Sequence, residues 1–121
     1  MAKILAVDDS PAIRRMVAAV LKKAGHEITS AEDGIEGSRV ADSDAFELVI
    51  TDVHMPNMNG IELIKVLRDK PAYRHTPLLV LTTESSTEMK QQGRDAGATG
   101  WIVKPFNPDS LVAAVSKVLG R

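Results

Sequence analysis

The chain contains no cysteine, which excludes disulfides, thiolate metal sites and thiol catalysis. It carries no charge excess: 15 basic and 16 acidic residues leave a formal net charge of −1, so no global field draws it to nucleic acid or to a membrane surface. Partners must therefore be selected by local charge. Long apolar runs are missing too. The opening Met1-Ala2-Lys3-Ile4-Leu5-Ala6-Val7-Asp8 meets an acid after four apolar residues, too few for a signal-peptide core, and nothing later approaches a membrane span. A cytoplasmic location is expected. There is no internal repeat, low-complexity stretch or linker, and 121 residues with 44% hydrophobic content fit one compact domain, residues 1–121, with no room for a second.

What the chain does have is an alternation of short apolar runs with helical patterns. Ser10 can cap a helix, Pro11 suits its first turn, and Ile13, Met16, Val17, Val20, Leu21 and Ala24 recur at helical spacing until Gly25 stops it. Glu27 to Ala31 reads as a short strand. Asp33-Gly34 is a turn opening a weaker helix through about Asp42, with Ile35 and Val40 as apolar anchors. Phe46 to Thr51 is the third element of strand type after Ile4 to Val7 and Glu27 to Ala31. Asn57 to Gly60 then leads into a helix carrying Ile61, Ile64 and Leu67, which must end near Lys70 because Pro71 follows. Pro77 opens a strand, Leu78 to Leu81, with Thr82 at its end. The next helix, about Ser86 to Ala96, is polar apart from Met89, so it buries little and is expected to be the least firmly held element. Gly97 to Gly100 breaks it, Trp101 to Lys104 is the last strand, and Asn107-Pro108 starts a final helix with Leu111, Val112, Val115, Val118 and Leu119 on one face.

Five strand–helix units, with strands apolar on both faces, predict an α/β fold: a doubly wound, five-stranded parallel sheet covered by helices on both sides. Ligand sites in such sheets lie outside the carboxyl ends of the strands, where strand order reverses. Asp8, Asp9, Asp52, Thr82 and Lys104 all fall at those ends. If the rim is shared, like charges about 4 Å apart repel by roughly 4 kcal/mol at a surface-like effective dielectric, so a fold should gather three carboxylates only around a cation or a reacting group.

The residues that carry this pattern also match a family. Over its whole length the chain resembles receiver domains of two-component response regulators, and most closely the stand-alone chemotaxis type. The match lies in Val7-Asp8-Asp9-Ser10, Thr51-Asp52-Val53-His54-Met55-Pro56-Asn57-Met58-Asn59-Gly60, Leu81-Thr82-Thr83-Glu84 and Val103-Lys104-Pro105-Phe106. Each string alone is weak; together, in order and at the expected separations, they are specific. The resemblance implies a flavodoxin-like sheet of order 2-1-3-4-5 with five helices. It implies that Asp52 is the nucleophile that takes a phosphoryl group from a phosphohistidine on a sensor histidine kinase, forming an acyl phosphate. It implies Mg²⁺, a hard ion preferring oxygen ligands, bound directly by Asp9 and Asp52, through water by Asp8, and by the backbone carbonyl of His54. Lys104 would pair with a phosphoryl oxygen and, before phosphorylation, with Asp52, at a Lys-Pro step that is cis in the family. Thr82 would hydrogen-bond the phosphoryl group and draw its loop inward. Trp101 stands where the family has an aromatic ring that swings between outward and inward rotamers, and His54 and Glu84 stand where residues tune how fast water removes the phosphoryl group.

Plainer readings stand beside these. Alone, Asp52 would be a strand-end residue capping a turn, Asp8-Asp9 a solvated turn before a helix N-terminus that favours anions anyway, and Lys104 a surface lysine. Thr82 would be an ordinary strand-end hydroxyl, Trp101 core packing, and His26 and His75 surface or loop residues. Phosphorylation would add about −1.5 to −2 charges, and the loop after Thr82 with the polar helix behind it would be the two-state element. The implied output face comprises that helix, the Trp101 strand and the last helix, with an effector protein such as a flagellar motor switch as partner. Because no sequence follows the last helix, output is expected through protein binding, with no nucleic acid and no membrane involved. On this reading the chain is no turnover enzyme and catalyses only its own phosphorylation and dephosphorylation. Two alternatives remain: a phosphate sink that drains a kinase, and an aspartate-nucleophile phosphatase. The latter places a second Asp two residues after the nucleophile as general acid, where this chain has His54, and it needs a cap insertion absent here. A flavodoxin-like cofactor binder is disfavoured because acids, not a Gly-rich phosphate loop, follow the first strand.

Overall fold

The computed structural model describes residues 1–120. Five strands, β1 (Lys3–Val7), β2 (Glu27–Ala31), β3 (Leu48–Thr51), β4 (Leu78–Thr82) and β5 (Gly100–Val103), alternate with five helices. These are α1 (Pro11–Lys23), α2 (Gly34–Ser43), α3 (Gly60–Asp69), α4 (Thr87–Ala96) and α5 (Pro108–Leu119), with one 3-10 turn at Pro71–Tyr73. Every strand pair is parallel and the order is β2-β1-β3-β4-β5, as the resemblance implied. The chain steps outward from β1 to β2 and then back across to β3, so the crevice of the sheet opens between the carboxyl ends of β1 and β3.

Side chains that alternate along the central strands feed two cores. Leu5, Val7, Val49 and Val80 face α2, α3 and α4 with Leu63, Ile64 and Leu67, while Ile4, Ala6, Ile50, Leu79 and Leu81 meet Val17 and Leu21 of α1 and Leu111 and Val115 of α5. Each large side chain so buried stabilises the fold by about 1.5–3 kcal/mol, enough to pin the sheet register that sets the rim. Helix starts are fixed by side-chain caps: Ser10, Asp33, Asn59, Ser86 and Asn107 each accept from a first-turn amide, and Asn59 with Glu62 closes a reciprocal capping box.

Several expectations are corrected. Strands apolar on both faces hold for β1, β3 and β4, but β2 exposes Glu27, Thr29 and Ser30 because it is an edge, and β5, the other edge, is only partly covered. Ile35 does not anchor α2; it is 46% exposed, and the helix sits down instead on Gly34, Gly37 and Ala41. Small residues are required there, since a Cβ on Gly37 would come within 3.0 Å of a Val7 methyl. Phe46 and Glu47 precede β3 rather than belonging to it, although Phe46 is buried; Gly100 belongs to β5, and Lys104 lies just beyond it. His26 sits in a loop but is not idle surface, because its Nδ1 accepts the Ala2 amide at 3.2 Å.

The polar helix α4 buries only Gly93 and Ala96, as its sequence implied. Its C-terminal end is nevertheless fastened. The Arg68 guanidinium donates from Nε and Nη2 to the Gly97 carbonyl at 3.1 and 2.7 Å, and from Nη1 to the Tyr73 and Thr76 carbonyls at 2.7 Å each. No helix among the described residues is long and apolar enough to cross a membrane.

Candidate functional site

The backbone ladder runs one residue past the strands and so carries the rim. The Asp52 amide donates to the Val7 carbonyl at 2.9 Å, the Asp8 amide to Ala31 at 3.1 Å, and the Lys104 amide to Thr82 at 2.7 Å. Val7 lies opposite Thr51 in the register, so the next residues, Asp8 and Asp52, leave the sheet side by side. Carboxylate oxygens of Asp8, Asp9 and Asp52 lie within 4.8 Å of one another. Lys104 closes the group: its Nζ donates to Asp8 Oδ2 at 2.8 Å and to Asp52 Oδ2 at 3.2 Å. The other oxygens are held as well, Asp8 Oδ1 by the Ser10 amide at 2.9 Å and Asp52 Oδ1 by the Val53 amide at 2.7 Å. Asp8 and Asp52 are buried, whereas Asp9 is exposed and accepts no hydrogen bond among the described residues. A donor set of hard oxygens with more acid than base could hold a hard cation.

Two buried acids share the Lys104 ammonium, and Asp8 and Lys104 are both displaced from their ordinary pKa values. Burial pushes the Asp8 carboxyl up from its ordinary value, and the Lys104 and Ser10 hydrogen bonds only partly reverse it. Burial would pull Lys104 down, but its bond to Asp8 and the charge of Asp52 overcome this and hold it above the ordinary lysine value. A raised lysine contributes stability that is complete below its unfolded value, about 10.4, and is lost as pH rises through its higher folded value. Lys104→Met should therefore cost about 3 kcal/mol in metal-free buffer, because two buried carboxylates lose their partner. Urea unfolding across pH should show that difference constant from neutral pH up to about pH 10.4, shrinking above it as Lys104 loses its charge and shrinking at acid pH as the raised Asp8 carboxyl takes up a proton. A difference under about 1 kcal/mol, the level of an exposed pair, would contradict the buried arrangement.

The remaining expected site residues form a second group. Thr82 is fully buried, and its Oγ1 accepts the Glu84 amide at 3.3 Å rather than contacting the acids. His54 turns its imidazole outward, with Nε2 3.1 Å from Glu84 Oε2; this bond draws the Glu84 carboxyl below its usual range. The Glu84 carbonyl in turn accepts the Trp101 indole N–H at 2.8 Å, so Trp101 is half-buried and tied to the loop after β4. Room for the ring comes from Gly93, where a Cβ would stand 2.6 Å from Trp101 Cζ3. Gly93→Ala is expected to turn the ring out of its seat, seen as a red shift of Trp101 emission with greater quenching by iodide; unchanged emission would show that α4 gives way instead. The Lys104-Pro105 peptide is cis. Nothing in the sequence pointed to Gly93 or Arg68, since each works through groups on another element.

The sequence profile of the response regulator receiver domain matches residues 4–116. The chain belongs to the response regulator receiver family. Among its relatives, chemotaxis protein CheY1 of Helicobacter pylori is 37% identical over 120 residues, covering 98% of this chain and 97% of that protein. A CheY homologue of Campylobacter jejuni is also 37% identical, covering 98% and 92%. Among solved structures, chemotaxis protein CheY4 of Vibrio cholerae superposes with a TM-score of 0.94 at 50% identity, covering 98% of both chains. The receiver is thus of the CheY-like kind, a class of signalling switches and not of turnover enzymes, with an acid cluster that could hold a metal ion.

Proposed function

We propose that this receiver is a phosphorylation switch. Asp52 takes a phosphoryl group from a phosphohistidine on a sensor histidine kinase. The P–N bond to the donor breaks with its electron pair going to nitrogen, a P–O bond to the Asp52 carboxylate forms, and the donor imidazole, protonated on its other ring nitrogen, leaves as the neutral base. The reading rests above all on the Lys104 ammonium shared by two buried carboxylates with a third beside them. The donor set fits Mg²⁺, which Asp9, Asp52 and the His54 backbone carbonyl would hold, with Asp8 acting through water. Bound there, the ion screens the carboxylates from the incoming phosphoryl oxygens.

The chain's own residues carry the signal. Lys104, already in reach of Asp52, pairs with a phosphoryl oxygen, and the Thr82 hydroxyl turns to the same group. Movement of Thr82 shifts the loop that ends at Glu84, whose carbonyl holds Trp101. The displacement thereby reaches the face made by α4, β5 and α5, where an effector protein binds. The chemotaxis names of the relatives favour a chemotaxis or motility pathway in the cytoplasm, with the flagellar motor switch as the model effector. His54 and Glu84, paired with each other, set how long the modification lasts.

The test is incubation with acetyl phosphate and Mg²⁺, reductive trapping of acyl phosphate, and peptide mapping, with Trp101 fluorescence followed in parallel. One adduct on Asp52 and a changed emission are expected. No adduct, or an adduct on another carboxylate, defeats the proposal.

A further inference from the structure

Arg14 takes no part in the phosphoryl chemistry of Asp52, yet it reaches the acid cluster. It lies in the opening turns of α1, where the positive end of the helix dipole disfavours a cation, and α1 carries no acid in its first turn to compensate. Its side chain is half-buried, and Nη1 donates to the backbone carbonyl of Asp8 at 2.7 Å. That carbonyl sits immediately before Asp9, so the bond fixes the peptide that joins the two acids. Arg14 also lines, with Asp8, Asp52, Ile13, Val17 and Leu81, a small cavity of about 10 Å³. The guanidinium therefore braces the acidic turn through its backbone, while Lys104 and the Ser10 amide hold the Asp8 carboxylate itself.

We infer that Arg14 is a positioning residue for the cation site: by holding the Asp8 carbonyl it fixes the direction of the Asp9 carboxylate, and so sets the affinity for Mg²⁺. The inference rests on the metal reading above but makes a separate claim, because its sign opposes simple electrostatics. Removing a positive charge near a cation site should tighten binding of the cation if Coulomb interaction were all that mattered. Loss of a brace behind the ligands should weaken it, and partners of this outer kind are worth roughly 10- to 100-fold in metal affinity.

Calorimetric Mg²⁺ titration of the full chain, without phosphodonor, decides between them, with thermal unfolding of the metal-free protein as companion. Arg14→Met is expected to weaken Mg²⁺ by roughly tenfold or more, with the metal-free midpoint little changed. Arg14→Lys, which keeps the charge but loses the planar fork, should fall between Met and the unchanged protein. Equal or tighter binding by Arg14→Met overturns the inference, whether or not the metal-free midpoint falls. Should Arg14→Met not fold, Arg14→Lys is read alone: weaker binding supports the brace, and unchanged binding overturns it. If the unchanged protein itself binds no Mg²⁺, the metal reading fails, and the role of Arg14 fails with it.

Discussion

Gly60→Ala should yield a protein destabilised by at least about 3 kcal/mol, at the upper end for an added methyl group in a packed site. A Cβ at this position would be driven into the Asp52 carbonyl oxygen, with the Asp52 carbonyl carbon at 2.8 Å and Val53 Cα at 3.0 Å. All three are backbone atoms and none can rotate aside. The Gly60 amide also donates to the Val53 carbonyl at 2.9 Å, which draws the start of α3 onto the residues that follow β3. Relief would require either lifting α3, which buries Ile61, Leu63, Ile64 and Leu67, or displacing the very peptide that presents Asp52. Urea unfolding measures the first cost and phosphoryl acceptance by the folded fraction the second. Gly25→Ala is the control: its Cβ would meet nothing within 4 Å, and only its φ of +94° is unfavourable, for a cost of about 1–2 kcal/mol. Equal losses in the two variants would contradict the close approach at Gly60.

Asp52→Asn should abolish acyl phosphate formation and the accompanying Trp101 response, leaving no measurable acceptance from acetyl phosphate. The substitution is nearly isosteric. The carboxamide it introduces can still accept the Val53 amide through its oxygen, and it removes one of three crowded negative charges. The metal-free variant is therefore expected to unfold at a midpoint no lower than that of the unchanged protein, which separates lost chemistry from lost structure. Retained acceptance at full rate would mean that Asp8 or Asp9 is the nucleophile.

Much of the site was legible because its residues terminate apolar runs: once Ile4–Val7 and Leu48–Thr51 are buried strands, parallel pairing alone sets Asp8 and Asp52 side by side. The helices α1 and α5 were equally plain, since periodicity and caps agree there, although Met16 of the α1 pattern is 51% exposed. Ile35 failed because a short helix with two apolar residues does not reveal which side it presents, and glycines that permit close approach leave no hydrophobic signature. Phe46 was placed in β3 for its apolarity, although it is buried outside the strand, its amide facing the Tyr73 hydroxyl at 3.4 Å. Arg68 was invisible for a different reason: its acceptors are carbonyls of residues 73 to 97, whose convergence is a property of the fold and of no local pattern. The pairing of His54 with Glu84, 30 positions apart, belongs to the same class.

The clasp of Arg68 on Gly97 makes α4 a cantilever. Ten residues give it an arm of about 15 Å, clamped at the end where the guanidinium grips it. A push of roughly 1 Å delivered at its other end, next to the loop from Thr82, becomes a tilt of about 4° over that arm. A protein resting on the first turn would register the whole stroke, and one resting beside Gly97 would register almost none.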